Sequence, residues 1–220
     1  RFSVHDERVY VLRTVNGPVR LFGDYVQPAT PSFLWHCQRI ILTHLAEKYL
    51  SKNRAVLEFG AGSGFNLVEL QRLLPLSHLY GLDRSEEAVE TIAASNFAAN
   101  RFDMEYPQSL SPRVCEGAAV LTMGALEQVG DRFRPFLDWL LAARPAVCVH
   151  VEPLVELYDE KQLLDALAAR YHRARGYLSE FLPALRMLET VGEITIMEVH
   201  RTRLGTQHND GFSWVIWKPR

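Results

Sequence analysis

The sequence has little that would tie it to an extracellular, membrane or nucleic-acid setting. Its 220 residues include only three cysteines, Cys37, Cys115 and Cys148, widely spaced and in apolar or mixed surroundings. They form neither a disulfide framework nor a zinc-ligand spacing, and they read as small core residues in a reducing compartment. No apolar run approaches the roughly 18 residues needed to span a bilayer. No secretory signal is visible, so the chain reads as cytoplasmic. The formal net charge is −2, which provides no field to draw the chain to nucleic acid or an anionic membrane. There is no repeat or low-complexity linker to mark an internal boundary. The chain starts at Arg1 instead of Met, which reads as a trimmed chain or one domain of a larger parent.

What is present is an alternation of short apolar strands and amphipathic helices. Strands are expected at 55–59, 78–82, 100–104, 118–122, 146–151, 193–199 and 212–217. Helices are expected at 65–74, 86–95 and 133–142. Ser85 reads as a helix cap, with Glu86 and Glu87 at the positive end of the dipole. Continuous apolar strands between amphipathic helices imply a mostly parallel sheet covered on both faces. Before this core, 9–15 and 19–22 flank Asn16-Gly17, a hairpin turn pair. Thr30-Pro31 opens a helix to about Leu50, with Leu34, Cys37 or Gln38, Ile41, Leu45 and Tyr49 on one face. Residues 156–191 break the rhythm with a long helical stretch interrupted near Gly176 and Pro183. Residues 1–50 therefore read as an appendage, 51–220 as the main domain, and 156–191 as its lid or acceptor segment.

The densest chemical signal is Ala55-Val56-Leu57-Glu58-Phe59-Gly60-Ala61-Gly62-Ser63-Gly64-Phe65. A buried strand ends in an acid, and a turn with three alternating glycines leads into a helix. Such a turn lets a ligand approach the main chain closely. A dinucleotide-binding turn would be G-x-G-x-x-G, but Phe65 stands where its third glycine belongs. Glu58 would also repel a pyrophosphate. A sulfonium amino acid carries no phosphate and brings an ammonium group that Glu58 would attract.

The EFGAGSG run, followed by Gly81-Leu82-Asp83, resembles the class I S-adenosylmethionine-dependent methyltransferases over about residues 50–155, and in topology to the C-terminus. The resemblance implies a doubly wound, Rossmann-like, mostly parallel seven-stranded sheet with an antiparallel C-terminal strand, preceded by the N-terminal hairpin and helix. It implies that Glu58, Gly60, Ala61, Gly62 and Gly64 hold the methionine part of the cofactor. Asp83, with Arg84 beside it, would take both ribose hydroxyls. Asp103 and Met104 would meet the adenine, and Thr122 and Met123 would line the other side.

Ligands of open α/β sheets bind at the carboxyl ends of the strands. Candidates there for the acceptor are Glu127, Gln128, Glu152, His172, Tyr177, His200 and His208. Glu127 and Glu152 are candidate bases or acceptor-orienting groups, and His172 lies in the Tyr171–Tyr177 run of aromatic and polar donors. That run suits a sugar or phosphorylated acceptor. No acid cluster suggests a required metal; Asp131 stands without companions. The leading function is methyl transfer to a small molecule or sugar, at oxygen; the C-terminal part loosely resembles bacterial glycan- or sugar-pathway methyltransferases. The alternatives are a protein or RNA methyltransferase, or a non-catalytic binding domain. A membrane span and a nucleic-acid partner are not expected, while a homo-oligomer or a larger parent chain stays open.

Overall fold

The computed structural model describes residues 17–220. The strand expected at 9–15 lies outside the described residues. Strand β1 (Val19–Leu21) turns at Phe22-Gly23 into β2 (Asp24–Val26), and on its other side pairs with β9 (Leu204–Gly205).

The core is a seven-stranded sheet in the order β5-β4-β3-β6-β7-β10-β8. Its strands are β3 (Ala55–Phe59), β4 (His78–Asp83), β5 (Ala98–Arg101), β6 (Ala119–Met123), β7 (Val147–Glu152), β8 (Ile194–His200) and β10 (Ser213–Pro219). All neighbouring pairs from β5 to β7 are parallel, and β10 runs antiparallel between β7 and β8. The chain reverses direction across the sheet at β3, where β4 lies on one side and β6 on the other. A crevice opens at the strand ends there. The strand expected at 100–104 begins and ends earlier because β5 is an edge strand with little apolar burial to mark it.

Helices cover both faces: α1 (Phe33–Leu45), α2 (Phe65–Leu73), α3 (Glu86–Ala94), α4 (Arg134–Ala143), α5 (Leu163–Arg175) and α6 (Phe181–Thr190). Ser85 caps α3, its hydroxyl accepting from the Ala88 N–H. Helix α1 continues as a wider turn through Leu50, and buries Leu34, Gln38, Ile41, Leu42 and Leu45. Gln38 is the one polar member of that stripe. Gly176 ends α5 in the left-handed conformation. Pro183 does not break a helix; it sits in the first turn of α6, where a missing N–H costs no helical bond.

On one face of the sheet, Phe59, Phe102, Phe136 and Trp139 pack ring against ring at centroid distances of 4.9–6.4 Å. Truncating one such ring to alanine typically costs about 3–5 kcal/mol. A buried ion cluster ties the small sheet to the main one. Arg20, 1% exposed, lies 3.0 Å from Asp210 and 3.3 Å from Asp165, and Arg201 reaches the same two carboxylates at 2.8 and 2.6 Å. The cluster draws together β1, α5 and the segment between β8 and β10.

Candidate functional site

A cavity of about 450 Å³ opens at the carboxyl ends of β3, β4, β5 and β6. That is within the roughly 300–1,000 Å³ usual for a small-molecule site. Glu58, Gly60, Ala61, Gly62, Asp83, Arg84, Asp103, Met104 and Met123 all line it.

The glycine turn is shaped by backbone geometry. Gly60 has φ +70°, and a Cβ there would fall 2.3 Å from the Ala125 Cβ. Gly62 has φ +55° and open space where a side chain would stand. The first glycine allows two loops to close on each other, and the second leaves the cavity edge bare. The turn is anchored to β4, with the Gly60 and Ala61 N–H groups donating to the Leu82 carbonyl at 2.7 and 3.1 Å.

Two acids flank the turn, Glu58 at the end of β3 and Asp83 at the end of β4. Glu58 is 1% exposed and accepts from the Asn66 side-chain amide at 2.6 Å. Asp83 accepts from the Gly62 N–H through one oxygen and from the Ser85 N–H through the other, each at 2.9 Å. Each Asp83 oxygen keeps further acceptor capacity, as two vicinal hydroxyls would need. Past β5, Phe102, Asp103 and Met104 form a wall, and Asp103 fixes its own loop by accepting from the Glu105 N–H at 2.9 Å. At the rim Arg132 binds Glu105 at 2.5 and 3.1 Å and holds that carboxyl below its ordinary range.

The opposite wall comes from the loop after β6: Met123, Gly124, Ala125, Gln128 and Val129. Thr122, expected beside Met123, lies elsewhere. Consecutive strand residues point to opposite faces, and Thr122 is fully buried against His150 Nδ1 at 3.0 Å. Glu152, expected to face the crevice, is also fully buried. Its oxygens accept the Ala125, Leu126 and Glu127 N–H groups at 3.3, 3.1 and 3.1 Å, so it holds the loop in place instead of meeting an acceptor. Burial pushes its carboxyl up to about 7 against those stabilising bonds. His172 is likewise fully buried, bonded through Nε2 to the Leu178 carbonyl across the turn from α5 to α6. It is a brace, and burial lowers its basicity.

Glu127 is different. It sits in that loop without lining the cavity, half-buried, and burial together with the Glu152 charge pushes its carboxyl up to about 8, with Arg175 acting the other way. Tyr171 and Tyr177 meet at 6.0 Å, Arg175 lies 5.4 Å from the Tyr177 ring, and Tyr171 stacks on exposed His208 at 4.6 Å. The Leu178 N–H donates to the Glu127 carbonyl at 2.9 Å, which joins this aromatic group to the cavity loop. His200 stands apart, stacked on Trp214 at 4.3 Å.

Sequence reasoning gave no site role to Asn66, two residues past the glycine turn, nor to Gln38, read only as a position on a helix face, whose partner lies 28 residues away. His150 was missed as well, because an apolar strand gives no sign of a buried imidazole. Its environment pushes its pKa down to about 3 through burial. Among the described residues no group of three His, Cys, Asp or Glu is placed to hold a metal, and no helix is long and apolar enough to cross a membrane.

The sheet order with its single antiparallel strand, and the crevice at β3, are those of the class I S-adenosylmethionine-dependent methyltransferase fold. No family profile and no curated protein matches the sequence. Solved structures do match. Human N-acetylserotonin methyltransferase, in complex with S-adenosylmethionine, is similar over 84% of this chain at TM-score 0.60 and 14% identity, and this chain covers 52% of it. The plantazolicin methyltransferase BpumL, in complex with a monoazolic desmethylPZN analogue and S-adenosylhomocysteine, is similar over 83% of this chain and 84% of its own, at TM-score 0.57 and 15% identity. The N,N-8-amino-8-demethyl-D-riboflavin dimethyltransferase of Streptomyces davawensis is similar over 86% of this chain at TM-score 0.58 and 15% identity; this chain covers 56% of it. The chain thus spans about half the length of the first and third of these.

Proposed function

We propose that this chain is an S-adenosylmethionine-dependent methyltransferase acting on a small-molecule or sugar acceptor, at oxygen. The observation that carries the cofactor half is that Glu58, just before the glycine turn, and Asp83, at the end of β4 and bonded to the Gly62 N–H, line one cavity whose edge the second glycine leaves open. Glu58 supplies negative charge for an ammonium group, and Asp83 has acceptor capacity for a ribose diol. The turn offers no anion cradle, since the acid beneath it would repel a pyrophosphate. Bound S-adenosylmethionine supplies an electrophilic methyl on a good leaving group. The chain's own contribution is then largely positioning, worth up to roughly 7–11 kcal/mol.

For the acceptor, Glu127 is the residue in a suitable state. A base whose proton leaves near pH 8 can take one from a hydroxyl, worth typically about 10²–10⁴-fold. Tyr171, Tyr177 and His208 give a ring surface on which a sugar or another flat acceptor would stack. Glu152 and His172 hold the two segments that carry these groups.

The test is transfer of labelled methyl from S-adenosylmethionine across panels of hydroxylated small molecules, nucleotide sugars, glycans, peptides and RNA. Label on a hydroxylated small molecule or sugar, lost with Glu127→Gln while cofactor binding persists, supports the reading. Label only on RNA or peptide overturns the acceptor class, and cofactor binding without any transfer favours a non-catalytic domain.

A further inference from the structure

Helix α1 packs on α2 beside the cavity through three adjacent pairs. The Trp35 and Phe65 rings lie 6.0 Å apart, Gln38 Nε2 donates to Asn66 Oδ1 at 2.7 Å, and Arg39 Nε lies 3.0 Å from Glu69. The middle pair continues inward. Asn66 Nδ2 donates to Glu58 Oε1 at 2.6 Å, and both Asn66 and Glu58 line the cavity. Gln38, Asn66 and Glu58 are 2%, 4% and 1% exposed, so water does not substitute for any link.

The polarity of this chain is set by the carboxylate at its inner end and matched by Gln38 at its outer end. A primary amide has one donor face and one acceptor face. Because the Glu58 carboxylate only accepts, Asn66 must present its NH₂ to Glu58 and its carbonyl to α1, where Gln38 supplies the donor. A flipped Asn66 would aim a carbonyl at a carboxylate and drive that carboxylate out of place. Gln38 does not line the cavity, yet its amide satisfies the buried Asn66 carbonyl and so supports the orientation in which Asn66 donates to the cavity acid.

We propose that Gln38 is a positioning residue for the cofactor's amino-acid end: through Asn66 it holds Glu58 where the ammonium group of S-adenosylmethionine binds, and so sets selectivity for ligands that carry that end. The inference rests on the cofactor reading above. It assigns to the N-terminal helix a part in ligand choice and not only in covering the sheet.

The test compares two ligands that differ only at that end: S-adenosylhomocysteine, and 5′-methylthioadenosine, which keeps the adenosine and thioether but has no amino acid. Gln38→Leu removes the donor. Gln38→Glu replaces it with an acceptor that favours the flipped Asn66. Calorimetry should show S-adenosylhomocysteine affinity falling about 10-fold or more with Gln38→Glu and by a smaller factor with Gln38→Leu, while 5′-methylthioadenosine binds both variants as it binds the wild type. Retained 5′-methylthioadenosine binding also reports a folded cavity. If both ligands weaken in parallel, or neither does, in variants of a wild type that binds both, the relay is overturned alone. If the wild type binds neither ligand, the cofactor reading falls and the relay with it.

Discussion

Alanine at Gly60 and alanine at Gly62 should have different consequences, although the two glycines are two residues apart and share a backbone conformation. Both have positive φ, +70° and +55°, and a side chain in that region costs about 1–2 kcal/mol at either site. At Gly62 the new methyl meets open space, so the backbone term is the whole cost. At Gly60 it would lie 2.3 Å from the Ala125 Cβ. Ala125 cannot simply retreat, because its N–H and those of Leu126 and Glu127 are held by Glu152. Overpacking of this kind adds about 1–3 kcal/mol. The expected totals are about 2–5 kcal/mol for Gly60→Ala and about 1–2 kcal/mol for Gly62→Ala. For a chain of this size each kcal/mol moves Tm by about 2–4 °C, so Gly60→Ala should melt about 2–12 °C below Gly62→Ala. Adding Ala125→Gly to Gly60→Ala removes the opposing methyl and should recover most of the extra loss relative to Gly62→Ala, a coupling expected only of residues in contact. Thermal unfolding followed by circular dichroism reads all three variants. Equal melting of the two alanine variants, with no recovery from Ala125→Gly, would refute the reasoning.

Asp83→Ala should weaken S-adenosylhomocysteine binding by about 1.5–3 kcal/mol in calorimetry, because ribose hydroxyls lose a charged acceptor; unchanged affinity would remove Asp83 from the ribose site. The Glu127 carboxyl is pushed up to about 8 by burial and by Glu152, so its protonated form is favoured in the fold. The stability it contributes is present below its unfolded value near 4.5 and is lost as pH rises through about 8. Glu127→Gln should therefore flatten the fall of Tm between pH 6 and 9, and an unaltered slope would contradict the buried placement. As a base the same group must lose its proton, so kcat/KM for methyl transfer should rise with pH toward about 8 and fall by about 10²–10⁴-fold in Glu127→Gln. Arg201→Leu leaves the buried Asp165 and Asp210 short of a partner and should cost about 3–5 kcal/mol in chemical denaturation, whereas breaking the exposed Arg173–Glu160 pair should leave the denaturation midpoint nearly unchanged.

The central strands were legible because a strand buried on both faces leaves a short run of apolar residues, as in Ala55–Phe59 and Ala119–Met123. The edge strand β5 leaves no such run, and its limits shifted. The glycine turn was legible because close approach admits no side chain, a demand written in residue type. The acceptor side was not. A strand-end carboxylate such as Glu152 can point to a crevice or fold back on a neighbouring loop, and nothing in its own sequence distinguishes these. His172 was drawn into the candidate site by its polar neighbours, whereas the helix period turns it inward toward Leu178. The Gln38–Asn66–Glu58 chain joins three elements, and its outer link exists only once α1 has packed on α2.

Titration of the chain with S-adenosylhomocysteine and, separately, with NAD is the most direct test of the cofactor assignment. Saturable binding of S-adenosylhomocysteine at one site, diminished by Asp83→Ala and accompanied by no NAD binding, is the expected result. Binding of NAD in its place would contradict the reading of Glu58, Phe65 and Asp83 from which the proposed chemistry follows.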